Sequence, residues 1–217
     1  SRKEFLEFSV INDGDDTNPY YYIINSSLIS DSDRDATIHS KLKTISHLFK
    51  GAIRLSGINV TSSSIRVTKV LKDKNPVRLP NYDEVPFNSS ILAQTKAEFK
   101  HKDIKILKSL YLGVSDEIHF RMLLFASDRF DYVDMYKIYE VLNETQNKSF
   151  FTEFNSDLDK FKCSANNFTA TGFASRHGKG IANPNQINSI QAKFISIEES
   201  RELFQKMYAK VLVNANI

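Results

Sequence analysis

The chain has 217 residues, 41% of them hydrophobic and 25% charged, with 29 Lys and Arg against 26 Asp and Glu for a formal net charge of +3. That balance is that of an ordinary globular protein, and the charge excess is too small to imply nucleic-acid binding unless the basic residues cluster locally. Cys163 is the single cysteine, which excludes an intrachain disulfide and a cysteine-built zinc site, and no run approaches the roughly 20 apolar residues that cross a bilayer.

The N-terminal residues SRKEFLEF lack the apolar core of a signal peptide, so a cytoplasmic location without membrane contact is expected. Residues 4–11 alternate Phe5, Glu7 and Ser9 against Leu6, Phe8 and Val10, the period of a strand. After a turn-rich break with Gly14 and Pro19, the aromatic and β-branched run from Tyr20 to Ile29 predicts a second strand. Asp31, Ser32 and Asp33 offer capping oxygens to a helix starting near Arg34. Ile38, Leu42, Ile45, Phe49 and Ala52 then form one helical stripe, closed by Gly57. Ile65 to Leu71 reads as a further strand, and the proline-bearing stretch from Asp73 to Ser90 as loop.

Beyond about residue 90 every periodic segment is helical. Ile91 to Leu112 carries a basic side made of Lys96, Lys100, His101, Lys102, Lys105 and Lys108. Asp116 to Ala126 predicts a second helix, and Phe130 to Glu144 a third with Phe130, Val133 and Tyr136 on its apolar face. Phe151, Phe154, Leu158, Phe161 and Ala165 make a fourth stripe. Ser196 and Glu199 form a capping box ahead of Leu203, Phe204, Met207, Tyr208, Val211 and Leu212. The expected class is therefore α+β, with a small mixed N-terminal sheet and one helix over residues 1–90 and an all-α bundle over residues 91–217.

Candidate chemistry concentrates in Phe161 to Gly180, FKCSANNFTATGFASRHGKG. Arg176 supplies a planar fork suited to phosphate, and His177 exchanges a proton near neutral pH. Asn166, Asn167 and Lys179 could position a sugar-phosphate strand beside them, with Lys102 and Lys105 adding cationic contacts. The same Asn, Ser and Gly residues are also ordinary turn chemistry, and the basic helix is also an ordinary solvated face. His39, five residues after Arg34, and His47 lie on the first helix, where a structural role is the simpler reading. Tyr132, Tyr136 and Tyr139 could stack on bases or fill a core. No Gly-rich phosphate loop, HExxH, GxSxG or metal-spaced carboxylate cluster occurs, so no cofactor or metal is expected.

The order FDYVDMYKIYEVL, FKCSANNFTATGFASRHGKG and ISIEESRELFQKMYAKVL resembles a group of bacterial proteins whose helical C-terminal part is similar to HEPN domains. The segment FKGAIRLSGINV is similar to their N-terminal part. The resemblance implies a short helical bundle, a homodimer, and, in active members, metal-independent ribonuclease activity in toxin–antitoxin or phage-defence systems. The hallmark of those members spaces Arg and His by four to six residues. Here Arg176 and His177 are adjacent, and Arg34 and His39 match the spacing only in the other half of the chain. Two functions are accordingly expected: an RNA-directed protein with Arg176 on a phosphate and His177 as general base, or a catalytically inactive homodimeric module with a protein partner.

Overall fold

The computed structural model describes residues 6–11, 21–26, 34–57, 70–72, 75–77, 105–167, 171–172, 175–176 and 194–215. The part described with its side chains is 84% helical and contains no strand, so the expected α+β class with an N-terminal mixed sheet is corrected to an all-helical fold. Among the described residues extended backbone pairs within two separate antiparallel ladders, β1 (Leu6–Ile11) with β2 (Tyr21–Ser26) and β3 (Val70–Lys72) with β4 (Asn75–Val77). Local alternation therefore specified extended chain, but a two-stranded ladder is not a layer on which a domain can be built. The apolar face of the first helix is covered by another helix instead. The domain boundary expected near residue 90, the loop from Asp73 to Ser90 apart from its paired residues, and the part of the helical segment expected over Ile91 to Leu112 that precedes Lys105 lie outside the described residues.

The core is assembled from α1 (Asp35–Leu55), α2 (Lys105–Ser115), α3 (Glu117–Ser127), α4 (Tyr132–Thr145), α5 (Lys148–Phe151), α6 (Asn155–Ala165) and α7 (Ile197–Asn214), with a single 3-10 turn, Thr152–Phe154, joining α5 to α6. Helix α3 lies at its centre, packed against α1, α2 and α4. It buries His119, Phe120, Met122, Leu123, Ala126 and Ser127, more than one face of so short a helix. The closest approach is at Gly51 of α1. A methyl group added there would lie 2.0 Å from the Leu123 carbonyl oxygen and 2.7 Å from its carbon, so backbone meets backbone and only glycine fits. Gly113 of α2 touches the same leucine, but there the neighbour is the movable tip of the side chain, 2.5 Å away.

Local signals hold most helix ends in place. Asp116 caps α3 by accepting from the Ile118 and His119 amides, and Asp131 caps α4 through Val133 and Asp134. Ser196 and Glu199 form the reciprocal capping box expected for α7. At α1 the capping position is Arg34, extended and making no side-chain capping bond; the expected Asp31, Ser32 and Asp33 lie outside the described residues. The expected stripes of α6 and α7 are buried residue for residue. The phase of α4 is corrected: its buried face is Tyr132, Met135, Ile138, Val141 and Leu142, whereas Val133 and Tyr136 are only half-buried. Phe130, placed in that helix by periodicity, precedes its cap with φ +54° and is buried from the turn.

Polar groups fasten the long helix to the centre. Lys105 Nζ donates to the Ser56 carbonyl at 3.0 Å, Gln205 donates to the Arg54 carbonyl at 2.9 Å, and Arg54 donates to the Ala126 carbonyl at 2.9 Å. His47 Nδ1 lies 2.8 Å from Ser127 Oγ, whose own hydrogen is directed at the Leu124 carbonyl, so the ring nitrogen donates. Burial first, then Lys50 and Lys43, push the His47 pKa down to about 4, with Asp128 opposing and Arg54 adding to the fall.

Two outcomes follow from this packing. Gly51→Ala should lower the unfolding free energy by about 3 kcal/mol, the upper end of overpacking costs, while Gly113→Ala should cost clearly less, because a leucine tip can shift and a backbone cannot. Chemical denaturation of both variants measures the difference. For His47, the folded-state pKa lies below the unfolded value, so the folded state gains from the neutral ring above pH 6.5 and loses that gain as the pH falls toward about 4. Melting temperatures across that range should therefore drop more steeply for wild type than for His47→Gln.

Candidate functional site

The stretch FKCSANNFTATGFASRHGKG begins inside α6 and turns back on the helix end. Ser164, fully buried, has its one hydroxyl hydrogen within reach of both the Lys160 and Ile195 carbonyls, at 3.0 and 3.2 Å, and accepts from the Ile195 amide at 2.9 Å. Tyr132 of α4 donates to the same Ile195 carbonyl at 2.7 Å. One serine thus ties the end of α6 to the chain entering α7, which is a structural use of a hydroxyl that sequence alone left open. Asn166 is the C-cap of α6, its amide donating to the Lys162 carbonyl at 3.1 Å. Its side-chain Oδ1 is buried and finds no donor among the described residues. The Asn167 carbonyl accepts from the Thr171 amide and hydroxyl, and Gly172 takes φ +58°, the left-handed conformation that reverses the chain.

That reversal carries Arg176 back to the helix it left. The Arg176 amide donates to the Ala165 carbonyl at 2.7 Å, which fixes the base of the side chain at the C-terminus of α6. From there the guanidinium lies 4.0 Å from the centre of the Tyr136 ring, and Nη2 donates to Glu140 Oε1 at 2.8 Å. Tyr136 and Glu140 are one turn apart on α4, so aromatic face and carboxylate are presented together. The side chain remains about one-third exposed (36%) and Glu140 about half (47%), which makes this an oriented surface pair rather than a sealed one.

The remaining expected site residues are distributed differently. His177, Lys179 and Lys102 lie outside the described residues. Lys105 caps the end of α1 through Ser56, and burial lowers its pKa. Lys108, on the same helix, donates to the Ala215 carbonyl at 3.4 Å. Both lysines therefore serve helix ends. Arg34 is exposed at the start of α1 while His39 is buried on it, so this pair does not present a common surface. Of the tyrosines, Tyr132 is in the core; Tyr136 and Tyr139 meet edge-to-face at 5.7 Å, with Lys162 5.1 Å from the Tyr139 ring.

Three further features were not singled out by the sequence. Glu140 is 36 residues from Arg176, and no spacing rule links them. Beside it, Arg121, Phe125, Lys137, Glu140, Asn143 and Glu144 line a shallow recess of about 280 Å³ between α3 and α4. Arg121 pairs with Glu144 at 3.3 Å, and Lys137 with Asp134 at 3.6 Å while lying 5.5 Å from the Phe125 ring. His119, the third, has a legible signal in retrospect: an aspartate three residues earlier, at the start of an apolar run. Among the described residues no group of three or more His, Cys, Asp or Glu is placed to hold a metal ion.

The strength of the Arg176–Glu140 pair is measurable. A double-mutant cycle with Arg176→Ala and Glu140→Ala should give a coupling of about 0.5 kcal/mol, the range of exposed pairs, shrinking in 1 M salt. A coupling several times larger would mean a far less hydrated pair. No family model, curated protein or solved structure matches the chain, so the meaning of this site rests on its own geometry.

Proposed function

We propose that the chain is a catalytically silent protein-interaction module rather than a metal-independent ribonuclease. The observation that supports this reading is the engagement of Arg176 within its own fold. A phosphate approaching that guanidinium meets the Glu140 carboxylate, 2.8 Å from the same nitrogen, and must displace or repel it. The surrounding surface has the same character. Arg121 pairs with Glu144, Lys137 with the buried Asp134 and Arg176 with Glu140, so each of these cations already faces a carboxylate of its own fold. Cations already engaged in this way offer little to a polyanion, whereas mixed charge around aromatic rings suits a polar protein interface.

The RNA-directed reading requires the opposite: Arg176 released to a phosphate, His177 acting as general base on a ribose 2′-hydroxyl, and Asn166, Asn167, Lys179, Lys102 and Lys105 along the strand. Incubation of the purified protein with total RNA and EDTA, beside His177→Ala, separates the two. The interaction module leaves RNA intact in both cases, and its weak RNA binding changes little between about 50 and 200 mM salt, where six or more phosphate contacts would cost well over tenfold. Metal-independent cleavage by wild type that disappears in His177→Ala would overturn the proposal. Light scattering on the same material tests whether the partner is a second copy of the chain.

A further inference from the structure

His119 stands apart from everything assigned above. It is 8% exposed, where α2 and α3 pack together and Tyr208 of α7 meets them, and Nε2 has no hydrogen-bond partner among the described residues. Its Nδ1 lies 3.2 Å from Asp116 Oδ1 but outside hydrogen-bond geometry. That same oxygen caps α3, accepting from the Ile118 amide at 2.7 Å and the His119 amide at 3.0 Å. On the far side the ring meets Tyr208 of α7 edge-on at 6.3 Å, and Tyr208 is itself 1% exposed. An imidazole so placed has one carboxylate within reach and that carboxylate is already in use. We propose that His119 is a proton-operated latch, closed while its ring is neutral and released in mildly acidic solution, when α2 and α3 loosen from α7.

The charges facing the ring decide the direction. Burial is the largest influence and lowers the His119 pKa; Asp116 opposes it, and Lys108 of α2 adds to the lowering. Partial burial works against the charge on Asp116, but the bonds from His119 and Ile118 outweigh it and hold that carboxyl below its ordinary value, so it stays ionised through the relevant range. Tyr208 contributes no charge, since burial drives its phenol well above its ordinary pKa. A histidine depressed in the closed state favours that state above pH 6.5. As the pH falls below that value, an opened junction takes up a proton that the closed one refuses, and opening grows by at most about tenfold per pH unit. The competition for Asp116 Oδ1 adds a structural route, because an imidazolium that turned to meet it would draw the oxygen from the first turn of α3.

Amide hydrogen exchange on the full chain at pH 7.5 and 5.5, corrected for intrinsic rates, tests this. Protection of residues 105–119 and 197–214 should fall several-fold at the lower pH relative to residues 148–165, and His119→Gln should remove most of that fall, whereas His47→Gln, which deletes a ring that titrates over the same range against Ser127 at the other end of α3, should remove less of it. Because a core variant can fail to fold, the wild-type ring is also titrated by NMR, with an expected pKa below 6.5. Unchanged protection in wild type, a fall at residues 105–119 and 197–214 that His119→Gln reduces no more than His47→Gln does, or a ring that titrates at or above 6.5 would each overturn the latch.

Discussion

The contact between Gly51 and the Leu123 carbonyl is the constraint on which the rest of the structure depends. Two helices approach until backbone touches backbone, which only an absent side chain allows, and the approach makes α3 the centre of the core instead of one element of its rim. Leu123 is shared by three helices, since Gly113 of α2 closes on its side chain from another direction. Once α3 is central, polar residues at both its ends must be satisfied inside the fold. Ser127 does so with His47 of α1, and Asp116 with its own first-turn amides. The two half-buried or buried imidazoles are consequences of that geometry, and each is held below its ordinary pKa chiefly by burial.

Around this centre, cations repeatedly serve the protein's own carbonyls, carboxylates and rings. Lys105, Lys108, Arg54 and Arg201 donate to carbonyl groups at the ends of other segments. Lys210 reaches the Phe150 carbonyl and the Glu153 carboxylate while lying over the rings of Phe150 and Phe154. Arg176 follows the same rule at Tyr136 and Glu140. A basic residue in such a place neutralises the negative end of a helix or an adjacent acid, which is why a nearly balanced composition leaves little positive field among these helices.

Much of the helical framework was legible in the residues themselves. The stripes of α6 and α7, their spacing and the Ser196–Glu199 capping box required only local periodicity and cap chemistry, and those act within one or two turns. The end of the first helix at Gly57 was readable for the same reason, with its φ of +72°. Periodicity failed at α4, where Tyr136 and Val133 resemble core residues but lie at the margin: the tyrosine meets Phe161 of α6 and is also covered by Arg176, and a hydropathy pattern cannot tell a cover of packed helix from one completed by a cation. It failed also for the sheet, because alternation along a segment reports extended backbone and says nothing about whether a third strand or a helix will complete a layer.

What the sequence determined by itself was therefore the helical character of α1, α3, α4, α6 and α7, the capping box of α7 and the polar turn after α6, all of which arise from interactions between neighbours in the chain. Tertiary structure alone decided which partner each side chain took. Gly51 acquires its importance only when Leu123 arrives against it, Arg176 its restraint only when Glu140 is brought within 2.8 Å, and His119 its sensitivity only when Tyr208 closes over it. The physical reason is common to all three: distance of closest approach, charge pairing and desolvation depend on what stands opposite in space, and residues far apart in the chain reach one another only through the packing of whole helices.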